Sequence, residues 1–163
     1  FMKLAVLYHS ESGNTKQVGE IIAAGAEKVK EIEAKCMSID DVDEDYLTEA
    51  KAVIFGSPTY HGDISWQMKK WLDTEAGSYD FSSKLGAMFA TENYLGGGSD
   101  VALLTLAGHL LVSGMIVYSG GAGEGDPYTH YGIVTIKDGD EEDQEKAEIF
   151  GERVANKTRE VFA

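Results

Sequence analysis

The sequence predicts an α/β protein: a doubly wound three-layer sandwich around a five-stranded parallel sheet. Three observations carry that expectation. Short apolar runs alternate with longer amphipathic segments along the whole chain, the rhythm of repeated βαβ units. Runs such as Ala52 to Gly56 are apolar on both faces, as a parallel strand covered by helices must be. At 163 residues the chain has the size of one domain, and it shows no linker, internal repeat or second core. The domain is therefore expected to span 2–163, with Phe1 ahead of Met2 read as an expression remnant, and the fixed hand of βαβ crossovers then favours the doubly wound arrangement.

The elements follow in order. Lys3 to Tyr8 is a compact apolar strand. Asn14 to Val29 is a helix, with Val18, Ile21, Ile22, Gly25 and Val29 recurring at helical spacing. Ile32 to Ile39 reads as the second strand, the acidic stretch Asp40 to Glu49 as a loop or short helix, and Ala52 to Gly56 as the third strand. Ile64 to Asp73 places Met68, Trp71 and Leu72 on one helical stripe, and Leu85 to Ala90 is the fourth strand. Val101 to Val112 is a helix and Met115 to Tyr118 the fifth strand, with Ile133 to Ile136 as an extension of it. Glu141 to Phe162 closes the chain as an amphipathic helix with Ala147, Phe150, Val154 and Val161 inward.

Composition removes several function classes. Lys and Arg number 14 against 28 Asp and Glu, and a net charge of −14 repels nucleic acid and anionic membranes alike. No apolar run reaches the ~18 residues of a membrane span, and the first residues run into a strand pattern rather than a signal peptide, so a cytoplasmic protein is expected. Cys36 is the single cysteine, which excludes an internal disulfide and multi-cysteine metal sites.

The chemistry is expected at the carboxyl ends of the strands, where open α/β sheets bind ligands. Glycine makes up 19 of the residues, and the excess falls mainly after strands. Three loops result: residues 9–15, 57–63 and 91–100. The first, His9-Ser10-Glu11-Ser12-Gly13-Asn14-Thr15, offers hydroxyl, amide and backbone N–H donors at a helix start, suited to a phosphate. It holds no Lys or Arg and does not match the P-loop pattern. The same residues also fit an ordinary helix cap by Ser12 or Asn14. The second loop, Ser57 to Asp63, combines Pro58, Tyr60, His61 and Gly62, and suits a planar ligand. The third adds Tyr94 and the triple glycine Gly96-Gly97-Gly98. Read singly, the second and third are also ordinary exposed turns.

The first loop resembles the phosphate loop of flavodoxins. Gly56-Ser57-Pro58-Thr59-Tyr60-His61-Gly62, followed by Gln67-Met68-Lys69-Lys70-Trp71-Leu72-Asp73, is similar to the matching loop and helix of WrbA-like NAD(P)H:quinone oxidoreductases and related FMN reductases, as is Gly114-Met115-Ile116-Val117. The resemblance implies the flavodoxin-like strand order 2-1-3-4-5 and one non-covalently bound FMN. It puts Ser10, Ser12, Gly13, Asn14 and Thr15 around the phosphate, Pro58, Thr59, Tyr60, His61 and Gly62 beside the isoalloxazine, and Glu92, Asn93, Tyr94, Gly96 and Gly97 over its other side. It names no catalytic acid or base, because the flavin carries the chemistry.

Two activities follow from the resemblance: electron transfer, and NAD(P)H-dependent reduction of a quinone or similar acceptor. The donor is NAD(P)H or a protein, the acceptor a small quinone or a protein, and a homo-oligomer is allowed. The compact Gly120 to Tyr128 stretch, and Ser113 where the quinone oxidoreductases often carry His, depart from those enzymes. Gly62-Asp63 instead resembles the turn of short electron-transfer flavodoxins, whose peptide responds to flavin reduction. The acidity suits a carrier that docks on basic partners, and equally suits simple solubility. Tyr94, Trp66 and His130 are candidates to shape a substrate pocket.

Other readings fit less well. Asp41-x-Asp43-x-Asp45 opens like a calcium loop, but Tyr46 stands where Gly is required and Ala52 where Glu is required. The His residues show no metal-ligand pairing, the acidic run from Asp138 reads as a helix start, and no G-x-S-x-G elbow occurs. A phosphoacceptor domain of the same strand order would need clustered acids after the first strand and an Asp ending the third, where Tyr8-His9-Ser10 and Gly56-Ser57-Pro58 stand.

Overall fold

The structure, a computed structural model, describes residues 1–163. The elements run β1 (Met2–Tyr8), α1 (Asn14–Glu27), β2 (Ile32–Ser38), α2 (Glu44–Glu49), β3 (Ala52–Tyr60), β4 (Asp63–Ile64), α3 (Trp66–Thr74), β5 (Leu85–Glu92), α4 (Ser99–Val112), β6 (Ile116–Val117), β7 (Ile133–Ile136) and α5 (Glu141–Phe162). The sheet has the order β2-β1-β3-β5-β6, with β7 beside β5 as well. All pairings are parallel except that of β4, which folds back on β3. This is the expected doubly wound sheet with its order reversing beside β1, so the carboxyl ends of β1 and β3 flank the switch point.

The fifth strand is in two pieces, as the extension at Ile133 to Ile136 anticipates. β6 pairs with Leu85 and Gly86, and β7 with Phe89 to Glu92. The register offset is 31 at Leu85↔Ile116 and 44 at Phe89↔Ile133, so 13 residues are inserted into what would otherwise be one strand. The Arg153 guanidinium of α5 donates to the carbonyls of Asp126 (2.8 Å) and Pro127 (2.9 Å) and holds the inserted segment on the body of the domain.

Several boundaries differ from those the periodicity gives. β3 continues through Ser57 to Tyr60 rather than ending at Gly56, because it pairs with β5 as far as Pro58↔Thr91 and then with β4 at Thr59 and Tyr60. Proline is tolerated there because pairing with β1 stops at Gly56, leaving that flank without a ladder to feed. α3 starts at Trp66, not Ile64: the Ser65 hydroxyl accepts from the Met68 amide at 3.2 Å and caps it. α2 is capped in the same way by Asp43, and α5 by Asp140.

Two cores lie on opposite faces of the sheet. Leu7, Phe55, Met68, Trp71, Phe81, Leu103 and Leu106 pack under α3 and α4. Leu4, Val6, Ile22, Ile54, Phe89, Phe150 and Val154 pack under α1 and α5. α1 and α5 cross at two glycines: a Cβ on Gly25 would fall 2.1 Å from the Glu148 carbonyl oxygen, and one on Gly151 would fall 2.0 Å from that of Ile22. The helices touch backbone to backbone, which fixes α1 and the loop that leads into it.

Candidate functional site

The three glycine-bearing segments meet at the carboxyl edge of the sheet. A cavity of about 220 Å³ is lined by Ser10, Ser12, Asn14 and Thr15 from the first, Pro58, Thr59 and Tyr60 from the second, and Glu92 and Asn93 from the third, together with Glu11 and Thr91. His61 lies in an adjoining groove that shares Thr59, Tyr60 and Asn93 and also includes Trp66 and Lys69.

At the first wall, Gly13 is the left-handed N-cap of α1 (φ 97°), and its amide donates to the Ser10 hydroxyl at 3.1 Å. The first α1 hydrogen bond runs from the Gln17 amide to the Gly13 carbonyl, so the amides of Asn14, Thr15 and Lys16 have no partner within the helix. Those donors, the hydroxyls of Ser10 and Ser12 and the positive end of a 14-residue helix form an anion cradle that needs no lysine.

Beneath it, the buried Thr15 and Thr91 hydroxyls bond at 2.8 Å and join the first wall to the end of β5. His9 and Ser65, both buried, meet at 2.9 Å between Nδ1 and Oγ, and the Ser65 amide donates to the Ser57 hydroxyl at 3.0 Å. This network links β1, β3 and α3 under the cavity. Burial holds the His9 imidazole below its usual pKa, against the weaker upward pull of Asp40 and Glu11, so at neutral pH it is an uncharged brace. Burial raises the Tyr60 phenol, helped by Glu11, and keeps it a neutral donor.

The second wall ends in a hairpin. Tyr60 pairs with Asp63, and the two residues between them, His61 (φ 50°) and Gly62 (φ 77°), both have positive φ, the signature of a type I′ turn. At the third wall, Glu92 is a buried β5 residue, and its carboxylate accepts from the Ser99 amide at 3.1 Å at the start of α4. Ser99 Oγ in turn lies 2.8 Å from Thr59 Oγ1, across the cavity's edge.

The remaining candidates are placed as follows. Gly96 has φ 79° with open space around it, and Gly97 is pressed against Glu92, whose Cβ would stand 3.1 Å from a Cβ at that position. Tyr94 is 68% exposed and Trp66 65% exposed. Of the three residues considered for a substrate pocket, only Trp66 lines the groove beside the cavity; His130 lies in a separate groove with Asp100 and Lys146. The predicted loops contain His9, Ser57, Thr91 and Ser99, but sequence reasoning gives them no role and passes over Ser65. The bonds Thr15–Thr91, His9–Ser65 and Thr59–Ser99 span 76, 56 and 40 positions, so no local pattern marks them.

Hydroxyl and amide donors at a helix N-terminus, with a tyrosine and a proline on the adjoining wall, fit a phosphate carried on a planar ring system. Comparison with known proteins points the same way. A family model for flavodoxins matches residues 6–150. A flavodoxin from Clostridium saccharobutylicum is 48% identical over 161 residues, covering 99% of this chain and all of that protein. An NAD(P)H dehydrogenase (quinone) from Geotalea daltonii is 34% identical over 145 residues, covering 71% of this chain and 70% of that protein. Among solved structures, a flavodoxin, WrbA-like protein from Agrobacterium tumefaciens superposes with a TM-score of 0.83 at 29% identity, covering 99% of both chains.

Proposed function

Because the chain belongs to the flavodoxin family, we propose that it is an electron carrier that works through one FMN bound in the cleft between β1, β3 and β5. The single observation that carries the site is the convergence of three loops on one cavity at the N-terminus of α1. FMN supplies the ability to take up and release electrons one or two at a time.

The chain's own residues do the rest. The α1 amides with Ser10, Ser12, Asn14 and Thr15 hold the phosphate. Pro58, Thr59, Tyr60, His61 and Gly62 form one side of the ring's binding site, and Glu92, Asn93, Tyr94, Gly96 and Gly97 the other. Stacking on Tyr60 or Tyr94 contributes about 0.5 to 1.5 kcal/mol beyond area burial. The Thr15–Thr91 and His9–Ser65 bonds fix the walls before the cofactor arrives, so binding costs little ordering.

We place this activity in the cytoplasm, with basic redox proteins as partners, since a chain of charge −14 meets positively charged surfaces faster than neutral ones. No helix is long and apolar enough to cross a membrane. Reduction of a quinone by NAD(P)H is the second reading, favoured by the Geotalea relative. One experiment separates the two. FMN added to the purified protein is expected to lose its fluorescence on binding, and NADH or NADPH added anaerobically to leave the bound flavin yellow while dithionite reduces it. Bleaching by NAD(P)H within seconds would establish the reductase instead, and unquenched FMN would overturn both readings.

A further inference from the structure

We infer that Gly98 is a positioning residue: it is the seat on which the His61–Gly62 turn rests, and it tunes the potential of the flavin without touching it. The inference rests on the FMN reading above and adds to it a residue outside the cleft.

The argument is one of space. Gly98 is the left-handed N-cap of α4 (φ 99°, ψ 12°), and the place where its Cβ would stand lies 2.6 Å from the Gly62 Cα and 3.4 Å from the Gly62 carbonyl carbon. Any side chain at position 98 must therefore push the hairpin tip away by several tenths of an ångström. The flank of the turn on which a Gly62 Cβ would stand is open, with nothing within 4 Å of that position. The next residue makes the seat directional. Ser99 Oγ holds Thr59 Oγ1 at 2.8 Å, and its amide holds Glu92 Oε2 at 3.1 Å. Residues 98 and 99 thus fix the tip of the hairpin, the end of β3 and the end of β5 relative to one another. Where a misplacement of about 1 Å costs a positioned group about 10²-fold, a shift of about half that should cost on the order of tenfold in an interaction made in one redox state only.

The test uses the FMN-loaded protein. Kd for oxidised FMN comes from fluorescence quenching, and the ratio of oxidised to reduced affinity from the reduction potentials. In Gly98→Ala the reduced flavin is expected to lose about tenfold more affinity than the oxidised one, equal to 59 mV on a one-electron couple. Gly125→Ala also places a side chain at a positive-φ glycine, in open space in the inserted segment and with heavier backbone strain (φ 89°, ψ −163°), and should leave the ratio unchanged. Ser99→Ala removes only the hydroxyl contact with Thr59 and is expected to shift the ratio about threefold in the same direction.

A Gly98→Ala protein that binds FMN with the wild-type ratio overturns the inference. If Gly98→Ala does not fold, an unchanged ratio in Ser99→Ala does so in its place. Failure of the unmodified protein to bind FMN is a different result: it removes the FMN reading and this inference with it.

Discussion

The crossing of α1 and α5 predicts that one substitution, glycine to alanine inside a helix, will have opposite signs at two positions. Alanine is favoured over glycine in a helix interior by about 1 kcal/mol. At Gly108, in the middle of α4, an added Cβ meets nothing within 4 Å. Gly108→Ala should therefore keep most of that gain, about 0.5–1 kcal/mol. At Gly151 the Cβ would lie 2.0 Å from the Ile22 carbonyl oxygen, where carbon and oxygen ordinarily stay about 3.3 Å apart. The helices must part by more than 1 Å, and the obstacle is main chain that cannot rotate aside. Overpacking of a core costs about 1–3 kcal/mol and more when backbone is displaced, with loss of the dispersion contacts along the seam. Because main chain meets main chain, the cost here belongs at and above the top of that range, about 3–5 kcal/mol, and the propensity gain leaves a net loss of about 2–4 kcal/mol. At about 3 °C per kcal/mol for a domain of this size, the melting temperature should rise by about 2–3 °C in Gly108→Ala and fall by about 6–12 °C in Gly151→Ala. Urea unfolding of the apoprotein, read by circular dichroism, keeps cofactor binding out of the comparison. A Gly151→Ala protein as stable as the unmodified one would refute the reasoning, because it would mean that α1 and α5 separate without cost.

Three further outcomes are expected. Thr91→Val leaves the buried Thr15 hydroxyl without its 2.8 Å partner and should cost about 1–2 kcal/mol of stability, seen as a lower urea midpoint. Burial depresses the His9 pKa, so the unfolded chain takes up the proton first: stability is full above the unfolded value of 6.5 and falls as pH drops below it. The partly buried His109 acts in the same direction, so the contribution of His9 is the part of the pH 5 to 6.5 slope that disappears in His9→Gln. The Cys36 thiol is pushed up to about 12 by burial, so it should resist iodoacetamide at pH 8 until denaturant is added, and should subtract stability as pH rises from 9.0 toward 12.

Much of the fold is legible in the sequence because it is periodic. The apolar runs at Lys3–Tyr8 and Leu85–Ala90, and the stripe Met68, Trp71, Leu72, are local patterns, and each lies inside the element it predicts. Even the split fifth strand is visible as two apolar runs separated by a glycine-rich stretch. Much of what periodicity misses is set by pairing partners outside the segment itself. β3 reaches Pro58 because Thr91 stands beside it and Tyr60 because the chain folds back through Asp63, whereas α3 starts late for a local reason, the Ser65 cap. The candidate site divides in the same way: its loops show in glycine, hydroxyl and aromatic content, whereas Thr15–Thr91 and His9–Ser65 are pairs 76 and 56 positions apart. Nor does the sequence mark Gly25 and Gly151 as partners, since each alone is simply a glycine in an amphipathic helix.

The break in the fifth strand also bears on how the molecule behaves in a crowd of its own kind. An unpaired sheet edge is a template for another chain, and the longer and flatter it is, the better it recruits. One edge here is β2, whose exposed side chains include Glu33 and Lys35. The other is cut by the inserted segment into pieces of two and four residues. Neither side offers a long apolar edge on which strands could stack from molecule to molecule. Protection against aggregation is thus built into the two flanks of the sheet, and it would persist at salt concentrations that screen the protein's net negative charge.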